Sequence, residues 1–278
     1  MTDIDLSAYF ERIGYTGNRS ATLDTLREIH RLHALAIPFE NLDPVLRRPV
    51  SLDIVSLQKK LIADRRGGYC YEQNLLFQHV LRALGFSVTG LAARVIWTNP
   101  EGVITPRSHM LNRVDLEGTT YVADVGFGGI TLTEPLVLEP NTEQSTSYEL
   151  FRLVPQNDEG GGFAMDANAG GKWRRLYRFD LTPQYQPDYE ISSWYLCTNP
   201  KSHFLTGIMA ARPIEGGRYA LNNNQLTIHR LNGEPERRTL TSAAELRDFF
   251  TDGLGITLPD SPDLEPVLAR VADGKPVA

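Results

Sequence analysis

The stretch RGGYCYEQN, residues 66–74, places a cysteine after two glycines, where a helical pattern begins. A helix N-terminus carries a partial positive charge and unpaired backbone N–H groups, which favour a thiolate there. The glycines allow unusual backbone angles and close approach by a ligand. A cysteine taken alone is more often a small apolar core residue. The flanking glycines and the partners found downstream instead predict that Cys70 is an exposed, activated nucleophile.

The composition predicts a soluble globular protein of two or three domains. The chain has 278 residues, of which 41% are hydrophobic and 22% charged. Its net charge of −6 argues against nonspecific nucleic-acid binding, which needs a basic surface. An anionic small-molecule ligand is not excluded, since a local site can oppose the overall charge.

The chain has only two cysteines, Cys70 and Cys197, and no C-x-x-C motif. A disulfide framework is therefore excluded, and we expect no metal site. The stretch Met1–Asp5 is acidic and lacks the basic start and apolar run of a signal peptide, and no stretch has the length of a membrane span. Because a free nucleophilic thiol is best kept in a reducing compartment, we expect a cytoplasmic protein without membrane contact.

The spacing of apolar residues divides the chain into three parts. The first is helical, and the helix that begins near Cys70 ends at Gly85. In the second part, the residue pattern predicts strands at 88–97, 110–116, 119–125, 148–155 and 173–180, with a mobile glycine-rich loop at 157–162. The third mixes strand-like pieces at 194–198, 218–221 and 225–231 with a helix that carries Leu246. We predict domains at 1–85, 86–189 and 190–278.

One of the six histidines is well placed to act as the base for the cysteine. His109 opens one predicted strand and Asp124 closes the next. If Glu117-Gly118 is a two-residue hairpin turn, Leu111 faces Asp124 and His109 shares a face with Leu111. His109 and Asp124 are then diagonal neighbours, with backbones about 7–8 Å apart. A loop one residue longer would put them on opposite faces.

Asp124 has two interpretations at this point. As the third member of a Cys-His-Asp triad, it accepts from one imidazole nitrogen and leaves the other for Cys70. As a strand-end carboxylate, it caps the glycine-rich turn 126–129. The spacing alone leaves both open. We expect packing or surface roles for the other histidines, His30, His33, His79, His203 and His229.

Several motifs, in matching order, resemble the arylamine N-acetyltransferases. The most specific is Arg66-Gly67-Gly68-Tyr69-Cys70, which is followed by Ser108-His109-Met110 and by ADVGFG at 123–128. The blocks IPFENL (37–42) and SHFL (202–205) are similar to further blocks of that family. The resemblance extends over most of the chain, from Tyr9 to Phe250.

The resemblance implies an α+β multidomain fold: an N-terminal helical bundle with the nucleophile, a central β-barrel with the His and Asp, and a C-terminal α/β lid. The core would be that of cysteine proteases and transglutaminases. It also implies ping-pong chemistry with Cys70, His109 and Asp124 as the triad. Acetyl-CoA would acetylate Cys70 as co-substrate, coenzyme A would leave, and an aromatic amine or hydrazine would attack the thioester.

The resemblance implies an apolar acceptor pocket. Phe127 is the first candidate for its wall, with Val95 and Phe204 behind it, although core packing is the simpler interpretation of Val95. A second expectation concerns the glycines that follow Asp124. Gly126, Gly128 and Gly129 would let the pyrophosphate of coenzyme A approach the backbone.

Three other functions stay open. The same triad would serve a hydrolase or a transglutaminase-like enzyme, since water or lysine can also attack an acyl-enzyme. An amide synthase of the same family would act on a polyketide thioester. A non-enzymatic binding protein would be expected to lack a triad member, and all three are present. The sequence leaves a homodimer open.

Overall fold

The N-terminal part of the chain is a bundle of helices that ends on the helix carrying Cys70. The computed structural model describes residues 4–97, 99, 102–157, 161–231 and 233–277. The helices of this part are α1 (Leu6–Ile13), α2 (Leu23–Ala36), α3 (Leu42–Val45), α4 (Ile54–Leu57), which continues as a π-helical turn (Gln58–Ala63), and α5 (Cys70–Ala83). A short strand, β1 (Phe39–Glu40), lies between α2 and α3.

Helix α5 begins at Cys70, as the sequence predicts. Its start is fixed by Glu72, whose carboxylate turns back to accept the backbone N–H of Tyr69 at 3.1 Å. Such a contact satisfies a donor that the helix itself leaves unpaired. The buried side chains Phe77 and Val80 of α5 belong to one hydrophobic cluster with Tyr9 of α1. Cys70 is therefore attached to a rigid core.

Eight strands in the described part of the chain form an antiparallel sheet that curls into a nearly closed barrel. They are β2 (Ser87–Val95), β3 (Arg107–Leu116), β4 (Thr119–Ala123), β5 (Leu136–Val137), β6 (Gln144–Ser145), β7 (Leu150–Pro155), β8 (Phe163–Ala169) and β9 (Lys172–Phe179). Their spatial order is β5-β4-β3-β2-β9-β8-β7-β6. The amide of Gln144 bridges the two edge strands by donating to the carbonyl of Val137 and accepting its N–H, both at 2.8 Å.

The hairpin that carries His109 and leads to Asp124 has the predicted register. Glu117 and Gly118 form the turn with φ of 50° and 80°, the positive angles of a type I′ turn. Leu116 pairs with Thr119, and the ladder runs on to the end of β4. Glu117 and Gly118 therefore form the two-residue turn that places His109 of β3 and Asp124, directly after β4, as diagonal neighbours.

The C-terminal part packs helices against a second antiparallel sheet. Its elements are α6 (Gln186–Thr198), a 3-10 turn (His203–Leu205), β10 (Met209–Ile214), β11 (Gly217–Asn222), β12 (Gln225–Arg230), β13 (Glu236–Thr239), α7 (Ala243–Asp248), a π-helical turn (Phe249–Gly253) and α8 (Leu264–Ala272). The strand order is β1-β10-β11-β12-β13, so Phe39 of the N-terminal part pairs with Ala211. Helices, barrel and α/β part together confirm the predicted fold class.

One local prediction is wrong, and one strand was not predicted. Residues 194–198, predicted as a strand, form the last turns of α6. Asp188 caps this helix by accepting the N–H of Tyr185 at 2.8 Å. Its buried residues recur at helical spacing; they are Tyr189, Ser193 and Leu196. The glycine-rich region contains a strand that the sequence analysis did not predict, β8. Residues 158–160 of the predicted mobile loop lie outside the described residues.

No helix within the described ranges is both long and apolar enough to cross a membrane. The same ranges hold no group of three or more His, Cys, Asp or Glu side chains placed to bind a metal ion.

Candidate active site

The glycine pair before Cys70 is needed for close packing. A Cβ added to Gly67 would lie 2.4 Å from the carbonyl oxygen of Pro38. The N–H of Gly68 donates to that same oxygen at 3.2 Å, and Glu40 N–H donates back to the carbonyl of Gly68 at 3.2 Å. Neither glycine has a positive φ. Their small size, rather than an unusual backbone angle, therefore brings strand β1 against the loop that leads to Cys70.

A buried network of charges holds this loop. Arg66 pairs with Glu40 at 2.7 Å and with Asp43 at 3.3 Å. Lys60 Nζ lies 2.6 Å from carboxylate oxygens of both Asp43 and Glu72. Burial alone lowers the pKa of Lys60, but the neighbouring carboxylates outweigh it and raise that pKa above its usual value. Because Glu72 also caps α5, the network ties the start of that helix to β1 and α3.

Cys70 is buried from bulk solvent and faces a cavity. Its residual exposure is 4%, so the prediction of an exposed thiol is wrong. Tyr69, Tyr71 and Met110 pack in the same cluster, yet Cys70 also lines a large cavity. The Sγ atom lies 3.7 Å from the carbonyl oxygen of Ser108. A small molecule that enters the cavity can therefore meet the sulfur away from bulk water.

His109 lies between Cys70 and Asp124, as the sequence predicts. Its Nε2 is 2.7 Å from Asp124 Oδ2, and the two side chains are 2% and 0% exposed. Burial acts to lower the pKa of His109, but the charge of Asp124, its hydrogen bond and a hydrogen bond with Cys70 raise that pKa to about 10. The imidazole therefore carries a proton at neutral pH. Since Nε2 contacts Asp124, Nδ1 is left for Cys70.

The Asp124 carboxylate is held by four contacts. Oδ2 faces His109 and accepts from the Tyr177 hydroxyl at 2.9 Å. Oδ1 accepts from Asn74 Nδ2 at 2.9 Å and from the N–H of Gly126 at 3.0 Å. Burial acts to raise the pKa of Asp124, but His109, Asn74 and the N–H of Gly126 lower it. One oxygen of Asp124 therefore caps the glycine turn while the other faces the imidazole.

Three residues of this site were missed by the sequence analysis. Asn74 lies one helical turn after Cys70 and donates to Asp124, and its i, i+4 spacing could have identified it. Tyr177 reaches Asp124 only because β9 closes the barrel, so local spacing gives no signal. His30 Nε2 accepts the backbone N–H of Asp124 at 3.2 Å. Burial lowers the pKa of His30 to about 4, which keeps the ring neutral and able to accept.

The cavity that contains Cys70 and His109 has a volume of about 1440 Å³, and all three predicted pocket residues line it. The Phe127 ring stands nearly perpendicular to the His109 ring, with centroids 5.2 Å apart. Phe204 is buried beside Tyr69, with ring centroids 5.5 Å apart, and Val95 lies on the wall. The predicted pocket residues therefore share one space with the sulfur.

The three glycines after Asp124 also line this cavity. A Cβ on Gly126 would lie 2.9 Å from Cys70 Cα, so this position requires glycine for helix packing. Gly128 has a φ of 94° and packs against the ring of Phe39. Gly129 has open space around it, and its carbonyl accepts from Arg218 at 2.7 Å.

The remaining wall of this cavity is basic, in contrast to the net charge of −6 for the whole chain. Glu149 is the only acidic residue among the described residues that line it. The basic residues are Lys172, Arg174, Lys201, Arg218, Arg230 and Arg237. Such a local field attracts an anionic ligand.

This chain is similar to known proteins in both sequence and structure. An N-acetyltransferase family model matches residues 22–262. The arylamine N-acetyltransferase of Mycobacterium tuberculosis H37Rv is 41% identical over 261 residues, which cover 92% of this chain and 91% of that protein. The Escherichia coli K12 arylamine N-acetyltransferase is 39% identical, covering 94% and 92%. The structure of Mycobacterium marinum arylamine N-acetyltransferase in complex with CoA has a TM-score of 0.91 and 40% identity, covering 96% of this chain and 99% of that one.

The contact of Gly126 with the Cys70 helix gives a testable prediction. In Gly126→Ala, the new methyl group must displace the backbone of Cys70, so we expect the free energy of unfolding to fall by about 1–3 kcal/mol. In the matched control Gly129→Ala, nothing lies within 4 Å of the added carbon, so stability should be unchanged. Urea denaturation of both variants measures the difference, and equal stability would refute the proposed close contact.

Proposed function

Because the chain belongs to the arylamine N-acetyltransferase family, we propose that it moves an acetyl group from acetyl-CoA to an aromatic amine or hydrazine through a thioester on Cys70. The observation that carries this proposal is the contact of 2.7 Å between His109 and a buried Asp124, with His109 and Cys70 on the wall of one cavity. A nucleophile, a base and an oriented third group are what acyl transfer through sulfur requires.

In the first half of the reaction, the Cys70 sulfur, whose proton His109 has taken, attacks the carbonyl carbon of acetyl-CoA. A bond forms between Sγ and that carbon, and the bond between the carbon and the sulfur of coenzyme A breaks. The protonated His109 gives its proton to the departing thiolate, which leaves as free coenzyme A. Asp124 keeps Nε2 of His109 engaged, so Nδ1 faces the reacting sulfur.

In the second half, the acceptor amine attacks the thioester. The new bond joins the amine nitrogen to the acetyl carbon, and the bond from that carbon to Cys70 Sγ breaks. His109 takes the proton that the nitrogen loses, and the ion pair is restored. Phe127, Val95 and Phe204 would bind the aromatic ring, and the position of Phe127 beside His109 supports this assignment.

Acetyl-CoA would bind in the basic cavity through its phosphates. Its thioester must reach Cys70 at the Gly126 side, so Gly126, Gly128 and Gly129 would meet it through their backbone. The basic wall supplies charge for the phosphates, and Arg218 is fixed next to Gly129 by the hydrogen bond to its carbonyl.

We keep three broader assignments as part of the proposal. The domain division at 1–85, 86–189 and 190–278 stays as predicted, with β1 pairing across it onto β10. A cytoplasmic location is supported by the two free cysteines. A homodimer stays open.

The thioester intermediate can be detected without an acceptor. Acetyl-CoA mixed with the protein alone should release coenzyme A in one burst that matches the number of chains, and mass spectrometry of the intact protein should find one acetyl group on Cys70. In Cys70→Ser, burst and adduct should vanish, and transfer should fall at least about 10³-fold because the hydroxyl is a far weaker nucleophile. The control Cys197→Ser should keep both. Acetyl transfer by the wild type without any adduct would exclude the two-step route.

The role of Asp124 can be separated from its packing. Asp124→Asn presents an N–H group to donors that need an acceptor, so we expect transfer to fall by about 10⁴-fold and stability by about 1–3 kcal/mol. Tyr177→Phe removes only one donor to Oδ2 and should have a much smaller effect on rate. Single-turnover acetylation of Cys70 measures the rate, and a fully active Asp124→Asn would reduce Asp124 to a cap of the glycine turn.

A further inference from the structure

A second cavity is lined by residues of β7, β8 and β9 and of the segment after β2, and arginine dominates its wall. Its volume is about 520 Å³, and the arginines that line it are Arg152, Arg174, Arg175 and Arg178. Asp166 is the only acidic side chain on its wall within the described residues. Such an excess of positive charge is notable in a chain whose net charge is −6.

The buried carboxylate of Asp166 anchors two of these arginines. Its Oδ1 accepts from Arg175 Nε at 2.9 Å, and its Oδ2 lies 3.4 Å from Arg152 Nη2. The arginine side chains are themselves 34% and 30% exposed. Each guanidinium carries five N–H donors, so Asp166 occupies only a fraction of them. The exposed parts of these two side chains therefore offer further N–H donors, whereas Arg152 Nε is buried.

Two tryptophan rings also contact guanidinium groups of this cavity, that of Arg152 again and that of Arg174 in addition. Arg152 Cζ lies 4.1 Å from the centroid of the Trp173 ring, and Arg174 Cζ lies 5.8 Å from that of Trp97. Stacking limits the freedom of these side chains, so less entropy is lost when an anion binds. Ile96 on the same wall is apolar and strengthens the local field.

We propose that this arginine cavity is a binding site for an anion that carries a phosphate or diphosphate group. Planar guanidinium groups match phosphate oxygens in pairs, which makes arginine the preferred side chain for such ligands. A solvated charged surface would leave the arginines extended and unstacked, whereas here one buried carboxylate and two indole rings hold three of them around a concavity.

The anion can have two sources. Trp97, Asn99 and Arg174 line both this cavity and the one that contains Cys70, so the two adjoin. The phosphates of a bound coenzyme A could extend into the arginine cavity, which would rest on the proposed function. Alternatively, a separate phosphorylated molecule binds there on its own.

Calorimetric titration with inorganic pyrophosphate tests the site without any turnover. We expect wild-type protein to bind it, with affinity that falls as salt rises. Arg152→Gln and Arg175→Gln should each raise the dissociation constant by about tenfold, through loss of one charge-assisted contact. Each single variant leaves Asp166 one arginine partner. The matched control is Arg113→Gln, since Arg113 pairs with Asp115 at 2.9 Å, is similarly exposed and lines neither cavity.

A second arm distinguishes the sources. If coenzyme A supplies the phosphates, it should block pyrophosphate binding, and Arg175→Gln should raise KM for acetyl-CoA but not for a phosphate-free acetyl ester. If the ligand is separate, pyrophosphate should still bind with coenzyme A present. Either result supports the site. Absence of pyrophosphate binding, or equal binding by wild type and both cavity variants, overturns it and leaves the proposed acyl transfer untouched.

Discussion

The structure depends on one buried ion pair, that between His109 and Asp124. Removing two charges from water costs several kcal/mol for each, and their attraction repays this only when the remaining polar atoms are satisfied. Here the protein meets that condition with donors from separate elements. Asn74 comes from α5, Tyr177 from β9 and the Gly126 amide from the turn after β4. Helical bundle and barrel must therefore both be in place before the pair is stable.

The same requirement explains the packing around Cys70. The sulfur must lie beside the imidazole, so α5 must approach the glycine turn more closely than a side chain would allow, and Gly126 provides that space. On the other side, Gly67 lets the loop before Cys70 lie against Pro38. The buried carboxylates and cations around Arg66 then fix that loop. Glycine acts at both positions by its small size.

Much of the site could be predicted because its signals are local. The cysteine at a helix start, the I′ turn at Glu117-Gly118 and the face shared by His109 and Leu111 all follow from short-range rules. What failed depends on contacts distant in sequence. Nothing near Tyr177 indicates that barrel closure brings it to Asp124, and the burial of Cys70 results from tyrosine packing that spacing does not reveal. Trp194 is an exception, because it lies in a run with strand-like residues, yet the nearby cap at Asp188 and a buried helical face decide for helix.

The pH titration of the His109 imidazole, followed by NMR of the ring, tests the central ion pair most directly. Burial acts to lower the pKa of His109, but the charge and the hydrogen bond of Asp124 raise that pKa to about 10, so the imidazolium should persist through neutral pH and lose its proton only near pH 10. In Asp124→Asn, which removes the negative charge beside the ring, His109 should lose its proton at a clearly lower pH. A wild-type His109 that is already neutral at pH 7, or an Asp124→Asn variant that titrates as the wild type does, would contradict a buried ion pair of His109 and Asp124.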